Sequence, residues 1–476
     1  MKHTDIIQKL NLEQKCALLS GETVFTTRAL PGKDIPAITL SDGPNGVRKQ
    51  AGAADHLGLN PSVPATCFPT SSATACSWDE KLGEAVGEAL GEEAAAQEVA
   101  VLLGPGLNIQ RSPLCGRDFE YFSEDPILAG RMAAAYVRGI QKNGISACPK
   151  HFAVNSQELR RMASDSVLDE RTLRELYLTG FEIVVKEAKP KTIMTSYNLI
   201  NGTYANENAH LLQDILRKDW GFDGAVVTDW GGSNDHALGV KNGSTLEMPC
   251  PGGDSIRELM KAVQDGKISE ADVDARLDEM LELVLSTHAA VEKAPRTFDA
   301  AAHHKLARRA AAESIVLLRN EGGILPLKPN EKLAVIGDFA ETPRYQGAGS
   351  SAVNALQVDT LLDSLKADDS GITFVGYASG FERQGAADAE KLEEAVALAK
   401  KADTVLLCLG LDELRESEGL DRADMKLAEN QQQLLAAVAA VNPNVVVLLS
   451  AGAPIETPWV GQCRALVYGA LGGQAG

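Results

Sequence analysis

Basic residues are scarce in this sequence. Its 476 residues include 46 Lys and Arg against 65 Asp and Glu, which gives a formal net charge of −19 at pH 7 with histidine neutral. A surface of that sign repels the phosphate backbone of nucleic acids and the headgroups of anionic membranes. We therefore expect neither a nucleic acid nor a membrane as a partner.

Long hydrophobic runs are also missing. No apolar stretch approaches the length of a membrane span, and the N-terminus, MKHTDIIQK, has no apolar signal region followed by a small-residue cleavage site. These two absences predict a soluble, cytoplasmic protein. A homo-oligomer is compatible with the sequence but is not indicated by any one motif.

Metal-ligand and disulfide patterns are absent. The eight histidines include no His-Glu-x-x-His motif and no His/Cys cluster, so no metal site is predicted. The eight cysteines form no Cys-x-x-Cys pair, and we expect most of them to be small buried hydrophobic residues in a reducing compartment. They are Cys16, Cys67, Cys76, Cys115, Cys148, Cys250, Cys408 and Cys463.

Apolar strands, polar loops and helices alternate over the first part of the chain. The strand-like segments are short and apolar: residues 35–40, 99–103, 145–148, 192–196 and 225–227. Such a repeat predicts a parallel α/β architecture, and its length favours a closed barrel over an open sheet. We predict an N-terminal (β/α)8-type barrel over residues 1–293.

Polar residues follow the C-terminal ends of these apolar segments. In a barrel those ends share one rim, where α/β proteins place their chemistry, so the residues could converge on one pocket. Taken singly, each could equally be a helix cap or a surface charge. The residues in question are Asp42, Arg117, Lys150, His151, Tyr197 and Asp229.

A second domain follows a composition change at residues 294–297. Residues 294–330 are predicted to form a linker and a connecting helix, and residues 331–476 a doubly wound α/β sandwich with strands at 333–336, 373–375, 404–409, 445–449 and 465–467. The chain stops just after a strand, at residues 472–476, which would expose a fresh sheet edge. We therefore expect this domain to be incomplete, with a continuation beyond Gly476.

Two loops of the second domain carry further signals. Residues 347–352 (GAGSSA) match a dinucleotide-binding pattern, but they do not open directly from a strand, so a loop lying close to a ligand is the better interpretation. Residues 415–422 (RESEGLDR) follow a predicted strand. From there either Glu416 or Glu418 could reach the barrel rim, and spacing alone does not choose between them.

Eight motifs, in order, resemble those of glycoside hydrolase family 3, in particular its β-glucosidases, and the resemblance covers essentially the whole chain. The motifs are residues 41–48 (SDGPNGVR), 116–126 (GRDFEYFSEDP), 150–152 (KHF), 155–158 (NSQE), 194–197 (MTSY), 221–230 (GFDGAVVTDW), 345–350 (YQGAGS) and 416–422 (ESEGLDR). The resemblance implies a site between a barrel that supplies the nucleophile and a sandwich that supplies the acid/base. Members of this kind also continue into a further domain.

By motif position, the resemblance implies Asp229 as nucleophile and Glu418 as acid/base, with Glu416 in reserve. It also implies a sugar subsite lined by Asp42, Arg117, Lys150, His151, Arg161, Met194, Tyr197 and Trp230. The expected reaction is retaining, exo-acting hydrolysis of terminal β-D-glycosyl residues from small oligosaccharides or aryl and alkyl β-glycosides, without a cofactor. We expect Lys150, His151 and Arg161 to keep Asp229 ionised, and a less compensated Glu418 to keep its proton.

Three alternatives are open. An N-acetyl-β-hexosaminidase of the same family would carry a Lys-His-Phe-Pro-Gly loop followed by Asp-x-His, whereas Lys150–His151–Phe152 continues here as Ala-Val-Asn-Ser-Gln. A β-xylosidase would differ only in the shape of the sugar pocket. A catalytically inactive sugar-binding protein would need the same pocket without a working pair of carboxyl groups, and both candidate carboxyl groups are present.

Overall fold

The structure is a computed structural model that describes residues 1–52, 60–249, 252–367 and 370–476. Its strands are β1 Leu40–Asp42, β2 Val101–Leu103, β3 Ser146–Ala147, β4 Asp165–Ser166, β5 Thr192–Met194, β6 Leu199–Ile200, β7 Thr203–Tyr204, β8 Ala225–Val227, β9 Val316–Asn320, β10 Lys332–Ile336, β11 Thr373–Ala378, β12 Thr404–Gly410, β13 Val445–Ser450 and β14 Ala465–Tyr468.

The α-helices flank these strands. They are α1 Thr4–Ile7, α2 Leu12–Ala17, α3 Ser71–Ala75, α4 Glu80–Ala96, α5 Pro126–Gln141, α6 Glu170–Thr172, α7 Thr179–Ile183, α8 His236–Asn242, α9 Asp254–Gln264, α10 Glu270–Lys293, α11 Ala300–Ser314, α12 Leu361–Lys366, α13 Ala389–Ala399 and α14 Glu429–Val441. Aspartate caps mark several starts; the Asp125 side chain, for example, accepts hydrogen bonds from the first amides of α5.

Five short parallel strands line the centre of the N-terminal half. Leu40 of β1 pairs with Val101 of β2, β2 pairs with β3, and β5 pairs with β8. Bridges from Phe152 to Thr195, from Val227 to Leu246 and from Ser20 to Glu247 join these pairs into a barrel-type ring. β2, β5 and β8 are fully buried because helices cover their outer faces. All five strands run the same way, so their C-terminal ends share one rim, as the sequence predicted.

The second half builds a separate sheet in the order β11-β10-β12-β13-β14-β9. The first five strands are parallel, and β9 pairs antiparallel with β14 at one edge. A second hydrophobic core packs against it, including Val335, Leu407 and Val447. The sequence placed residues 294–330 in a linker with a helix. In the structure that helix ends at Ser314, and residues 316–320 are the edge strand β9 of this sheet.

Local irregularities interrupt several helices that the periodicity predicts as continuous. The sequence indicates one helix at residues 4–20 and another near residues 170–187. The first breaks into α1 and α2, and π-helical turns at Leu173–Tyr177 and Val184–Ala188 interrupt the second. Of the cysteines, six are buried, Cys76 is half-buried and all seven in the described ranges are unpaired; Cys250 lies outside those ranges. No helix in the described part of the chain is long and apolar enough to cross a membrane.

Candidate active site

One cavity of about 400 Å³ lies where the rim of the barrel meets the second domain. All ten residues that the sequence proposed for the site line it: Asp42, Arg117, Lys150, His151, Arg161, Met194, Tyr197, Asp229, Trp230 and Glu418. Nine of them come from the strand ends and loops of the barrel, and one, Glu418, comes from the loop after β12. Residues almost 400 positions apart in sequence therefore share one pocket.

Asp229 stands just beyond the buried end of β8. Its Oδ1 accepts a hydrogen bond of 2.7 Å from the amide of Trp230, whereas among the described residues no group hydrogen bonds to its buried Oδ2. Burial raises the pKa of Asp229 above its ordinary value, and Arg117, Arg161 and Lys150 offset this effect only in part. One carboxylate oxygen is thus held in place, while the other is available to an atom in the cavity.

A buried charge network forms the floor beside Asp229. Arg117 Nε and Nη2 donate to the two oxygens of Glu120 at 3.1 and 2.8 Å, and Lys150 Nζ lies 3.7 Å from Glu120 Oε1. The bidentate pairing fixes the guanidinium plane of Arg117. Its remaining nitrogen, Nη1, has no hydrogen-bond partner in the described structure and lies 3.6 Å from Glu418 Oε1.

His151 lies beside Asp229 as a neutral imidazole. Its Nε2 lies 3.7 Å from Asp229 Oδ2, and its Nδ1 is 3.1 Å from the hydroxyl of Tyr121. Burial, with Arg117, Lys150 and Arg161 nearby, holds the pKa of His151 well below its usual range. The imidazole is therefore neutral at neutral pH.

Glu418 reaches the cavity from the second domain and is strongly paired. Its Oε1 accepts a hydrogen bond of 2.8 Å from Arg161 Nη1, and its Oε2 accepts one of 2.8 Å from the amide of Ser350. Burial alone would raise the pKa of Glu418, but Arg117, Arg161 and the Ser350 amide outweigh it and lower the pKa.

For Glu418 the direction of the pKa shift is the reverse of the expectation from the sequence, which was wrong. Burial raises the pKa of Asp229 and outweighs Arg161 and Lys150, which lower it as expected, and His151 is neutral. Arg161 lowers the pKa of Asp229 through space, but its guanidinium hydrogen bonds to Glu418 and Glu158 instead, with Nη1 at 2.8 Å from an oxygen of each. Which carboxylate an arginine pairs with depends on loop conformation. Arg161 Nη1 therefore has two carboxylate partners, Glu158 and Glu418.

Glu416 lies outside the cavity. Its side chain is completely buried; Oε2 accepts a 2.6 Å hydrogen bond from Arg344 Nη1, and Oε1 accepts one from the amide of Gly452. This carboxylate is fully used in tying the loop after β12 to its own domain. Between the two glutamates that the sequence left open, only Glu418 faces Asp229.

Asp42 and Arg48 connect the first barrel loop to the site. The Asp42 side chain lines the cavity, where burial raises its pKa to about 6 although Lys150 and Arg48 lower it. Arg48 Nη1 donates to the carbonyl oxygens of Gly349 and Ser350 in the second domain. The loop at 345–350, which the sequence placed beside the ligand, thereby borders the cavity through Ser350.

Aromatic faces form the opposite wall. Trp230 is fixed by a 2.7 Å hydrogen bond from its Nε1 to the carbonyl of Val24 and packs on Phe25, with ring centroids 5.3 Å apart. The hydroxyl of Tyr197 donates to the carbonyl of Trp230, and the Arg161 guanidinium lies 4.8 Å above the Tyr197 ring. Flat apolar surfaces of this kind suit the C–H faces of a sugar ring.

Sequence reasoning missed four other lining residues: Phe25, Met162, Gly231 and Pro249. Phe25 and Pro249 lie on irregular loops, where no periodicity marks them. Met162 and Gly231 each adjoin a residue that was found, Arg161 and Trp230. Glu120 and Glu158, which pair the site arginines, stood inside the recognised motifs, but only their contacts reveal the role.

A second cavity in the structure has no facing pair of carboxyl groups among its described lining residues. This larger cavity of about 610 Å³, lined in part by Trp78, Arg111 and Tyr468, contains a single carboxyl group, Glu124, and no facing partner for it. Within residues 1–52, 60–249, 252–367 and 370–476, no group of three or more His, Cys, Asp or Glu is arranged to hold a metal ion.

A two-domain α/β architecture with paired carboxyl groups, cations and aromatic faces at the domain junction is typical of proteins that act on carbohydrates. Residues 52–283 match the family model described as the glycosyl hydrolase family 3 N terminal domain, and residues 315–476 match the C-terminal domain of the same family. This chain belongs to glycosyl hydrolase family 3.

The chain spans less than two thirds of the length of the first curated relatives it matches. The chain is 45% identical over 473 residues to thermostable beta-glucosidase B of Acetivibrio thermocellus, covering 99% of this chain and 62% of that protein. It is 44% identical to an exo-alpha-(1->6)-L-arabinopyranosidase of Bifidobacterium longum, covering 99% and 63%. The structure of beta-glucosidase 3B from Thermotoga neapolitana in complex with glucose superposes with a TM-score of 0.90 at 33% identity, covering 100% of this chain and 72% of that one.

Proposed function

We propose that this chain is a retaining, exo-acting β-glycosidase of the β-glucosidase kind, which releases terminal non-reducing β-D-glycosyl residues through a covalent glycosyl-enzyme intermediate. One observation carries the proposal: Asp229 and Glu418, from different domains, line the same cavity, and Asp229 Oδ2 is buried without a hydrogen-bond partner. A cavity of about 400 Å³, near the lower end of the usual range for ligand pockets, suits a single terminal sugar.

Asp229 attacks the anomeric carbon through Oδ2 while the glycosidic oxygen departs. Oδ1 stays bonded to the Trp230 amide, so the attacking oxygen is oriented before the substrate arrives. Arg117, Arg161 and Lys150 favour the ionised form that attack needs. Neutral His151 faces Oδ2 at 3.7 Å and does not neutralise the nucleophile.

Glu418 protonates the leaving oxygen and then activates the water that releases the sugar. To carry a proton it must exchange its contact with Arg161 for one with the substrate, since the ion pair lowers its pKa. Glu158 Oε2 already binds the same Arg161 nitrogen. The guanidinium therefore stays paired during the exchange, which lowers its electrostatic cost.

A panel of 4-nitrophenyl glycosides tests the activity and the sugar together. We expect the purified chain to show its highest kcat/KM on the β-D-glucoside, with β-D-xyloside, α-L-arabinopyranoside and N-acetyl-β-D-glucosaminide as comparisons. The arabinopyranoside is included because of the similar arabinopyranosidase from Bifidobacterium longum. Hydrolysis of none of these compounds would contradict the proposal, and a different preferred sugar would change its substrate.

Sugar binding should strengthen as Asp42 ionises, because a carboxylate accepts hydrogen bonds from two hydroxyl groups. With its pKa at about 6, the ionised fraction of Asp42 rises between pH 5 and 7, so the affinity for glucose should rise by about tenfold over that interval. Lys150, Arg48, Glu418 and Asp229 surround this group. The inhibition constant of glucose, measured across that range, checks the prediction.

Asp42→Asn is the control for this pH dependence. It keeps the size of the side chain and removes its titration, so its affinity for glucose should be lower and flat between pH 5 and 7. Burial and the neighbouring cations Arg117, Lys150 and Arg161 hold the pKa of His151 well below its usual range, so we assign the dependence to Asp42. An equal slope in the wild type and in Asp42→Asn would assign the titration to another group.

A further inference from the structure

Asp421, three residues beyond Glu418, is one of several groups that bind the loop carrying both residues to the barrel, together with the amide of Arg422, which donates to the carbonyl of Leu114. Asp421 Oδ1 accepts hydrogen bonds from the amides of Gly116 and Glu158, at 3.2 and 3.0 Å. Its Oδ2 accepts one of 2.9 Å from the amide of Leu159. A single side chain of the second domain therefore joins the barrel loops that carry Arg117 and Arg161.

The backbone of the same loop packs closely against the barrel at Gly116. A Cβ added at Gly116 would lie 1.7 Å from the carbonyl oxygen of Leu420 and 2.4 Å from that of Ser417. The amide of Gly419, next to Glu418, donates a 2.8 Å hydrogen bond to Glu158 Oε2. The backbone on both sides of Glu418 is thus set by contacts with the barrel.

We propose that Asp421 is a positioning residue that holds Glu418 over the cavity, so that proton transfer, rather than sugar binding, depends on it. Asp421 does not line the cavity. Hydrogen bonds from backbone amides to a carboxylate are charge-assisted, and its loss leaves three amides of two barrel loops without their acceptor. A proton donor displaced by about 1 Å costs on the order of 10²-fold in rate. This inference rests on the proposed function.

The test compares two leaving groups in the Asp421→Ala variant of the full chain. On an alkyl β-D-glucoside, whose departure requires a proton, kcat/KM should fall by about 10²-fold. On 2,4-dinitrophenyl β-D-glucoside, which departs without one, it should stay within about threefold of wild type, as should the inhibition constant of glucose. Asp424→Ala, which removes an exposed acid from the same segment, is the matched control and should behave as wild type.

The outcomes of this test separate the positioning role of Asp421 from the proposed glycosidase function. Equal losses on both substrates, or no loss on the alkyl glucoside, would overturn the positioning role while leaving the proposed function intact. A wild-type chain that hydrolyses neither substrate would instead refute the proposed function. If Asp421→Ala does not fold, as judged by its Tm, Asp421→Asn decides by the same comparison; it keeps one acceptor oxygen and should show a smaller but equally selective loss.

Discussion

Replacement of Asp229 by alanine should lower kcat by on the order of 10⁴-fold or more, because the first bond to the sugar can then no longer form. The fold should persist, since only one weakly paired carboxyl group is removed. A 2-deoxy-2-fluoro glucoside with a dinitrophenyl leaving group tests the assignment directly. The fluorine slows both chemical steps, the good leaving group rescues the first, and the trapped sugar should be found by mass spectrometry on the peptide that contains Asp229.

Asp223→Ala is the matched control for this variant. Asp223 lies on the turn before β8, its side chain is 87% exposed, and its loss removes the same charge a few residues away. Activity close to that of wild type is expected. Substantial turnover by Asp229→Ala, or a trapped sugar on another residue, would remove Asp229 from the nucleophile role.

Replacement of Glu418 by alanine should affect substrates according to their leaving groups. We expect kcat/KM to fall by about 10²- to 10⁴-fold on alkyl glucosides, the range that general acid catalysis contributes. It should change little on dinitrophenyl glucosides, for which no proton is needed. Azide should raise kcat of the variant on the dinitrophenyl substrate and give a glycosyl azide, because azide attacks without a general base.

The Glu416→Gln variant tests whether Glu416 has a structural role, distinct from the proposed acid/base role of Glu418. Loss of the Glu416 carboxylate leaves the buried charge of Arg344 without its partner, which should lower the free energy of unfolding by about 3–5 kcal/mol in a urea titration. No selective dependence on the leaving group is expected. If Glu418→Ala showed no such dependence and no azide effect while Glu416→Gln did, the proton donor would be Glu416.

Among the strands, prediction from the sequence was closest for apolar segments in the middle of a sheet, whereas the strand predicted at residues 35–40 shares only Leu40 with β1. Residues 225–227 and 445–449 are short, apolar and covered on both faces, so composition alone marks them, and the structure agrees within a residue. The helix predicted near residues 170–187 is interrupted in the structure by π-helical turns, which no local sequence pattern indicates. The edge strand β9 was missed because Leu317 and Leu318 remain half exposed and read equally well as the end of a helix.

For the site, the order of the motifs predicted which residues line the cavity, but not which ion pairs they form or in which direction their pKa values shift. Asp229, Lys150 and Glu418 share a cavity because strand ends share a rim and a loop of the second domain reaches it. Arg161, in contrast, binds Glu418 and Glu158, a choice fixed by rotamers and loop contacts. The directions of the two carboxyl pKa values therefore had to come from coordinates.

The origin of the lining residues has a consequence for how selectivity can change. Nearly every group that would read the shape and hydroxyl pattern of the bound ring belongs to the first lobe, whereas the group that would serve the departing alcohol is borne by the second. Substitutions in one lobe could thus retune which monosaccharide is accepted while the range of tolerated aglycones stays the same. Within this fold, specificity for the sugar and specificity for the aglycone could therefore change largely independently.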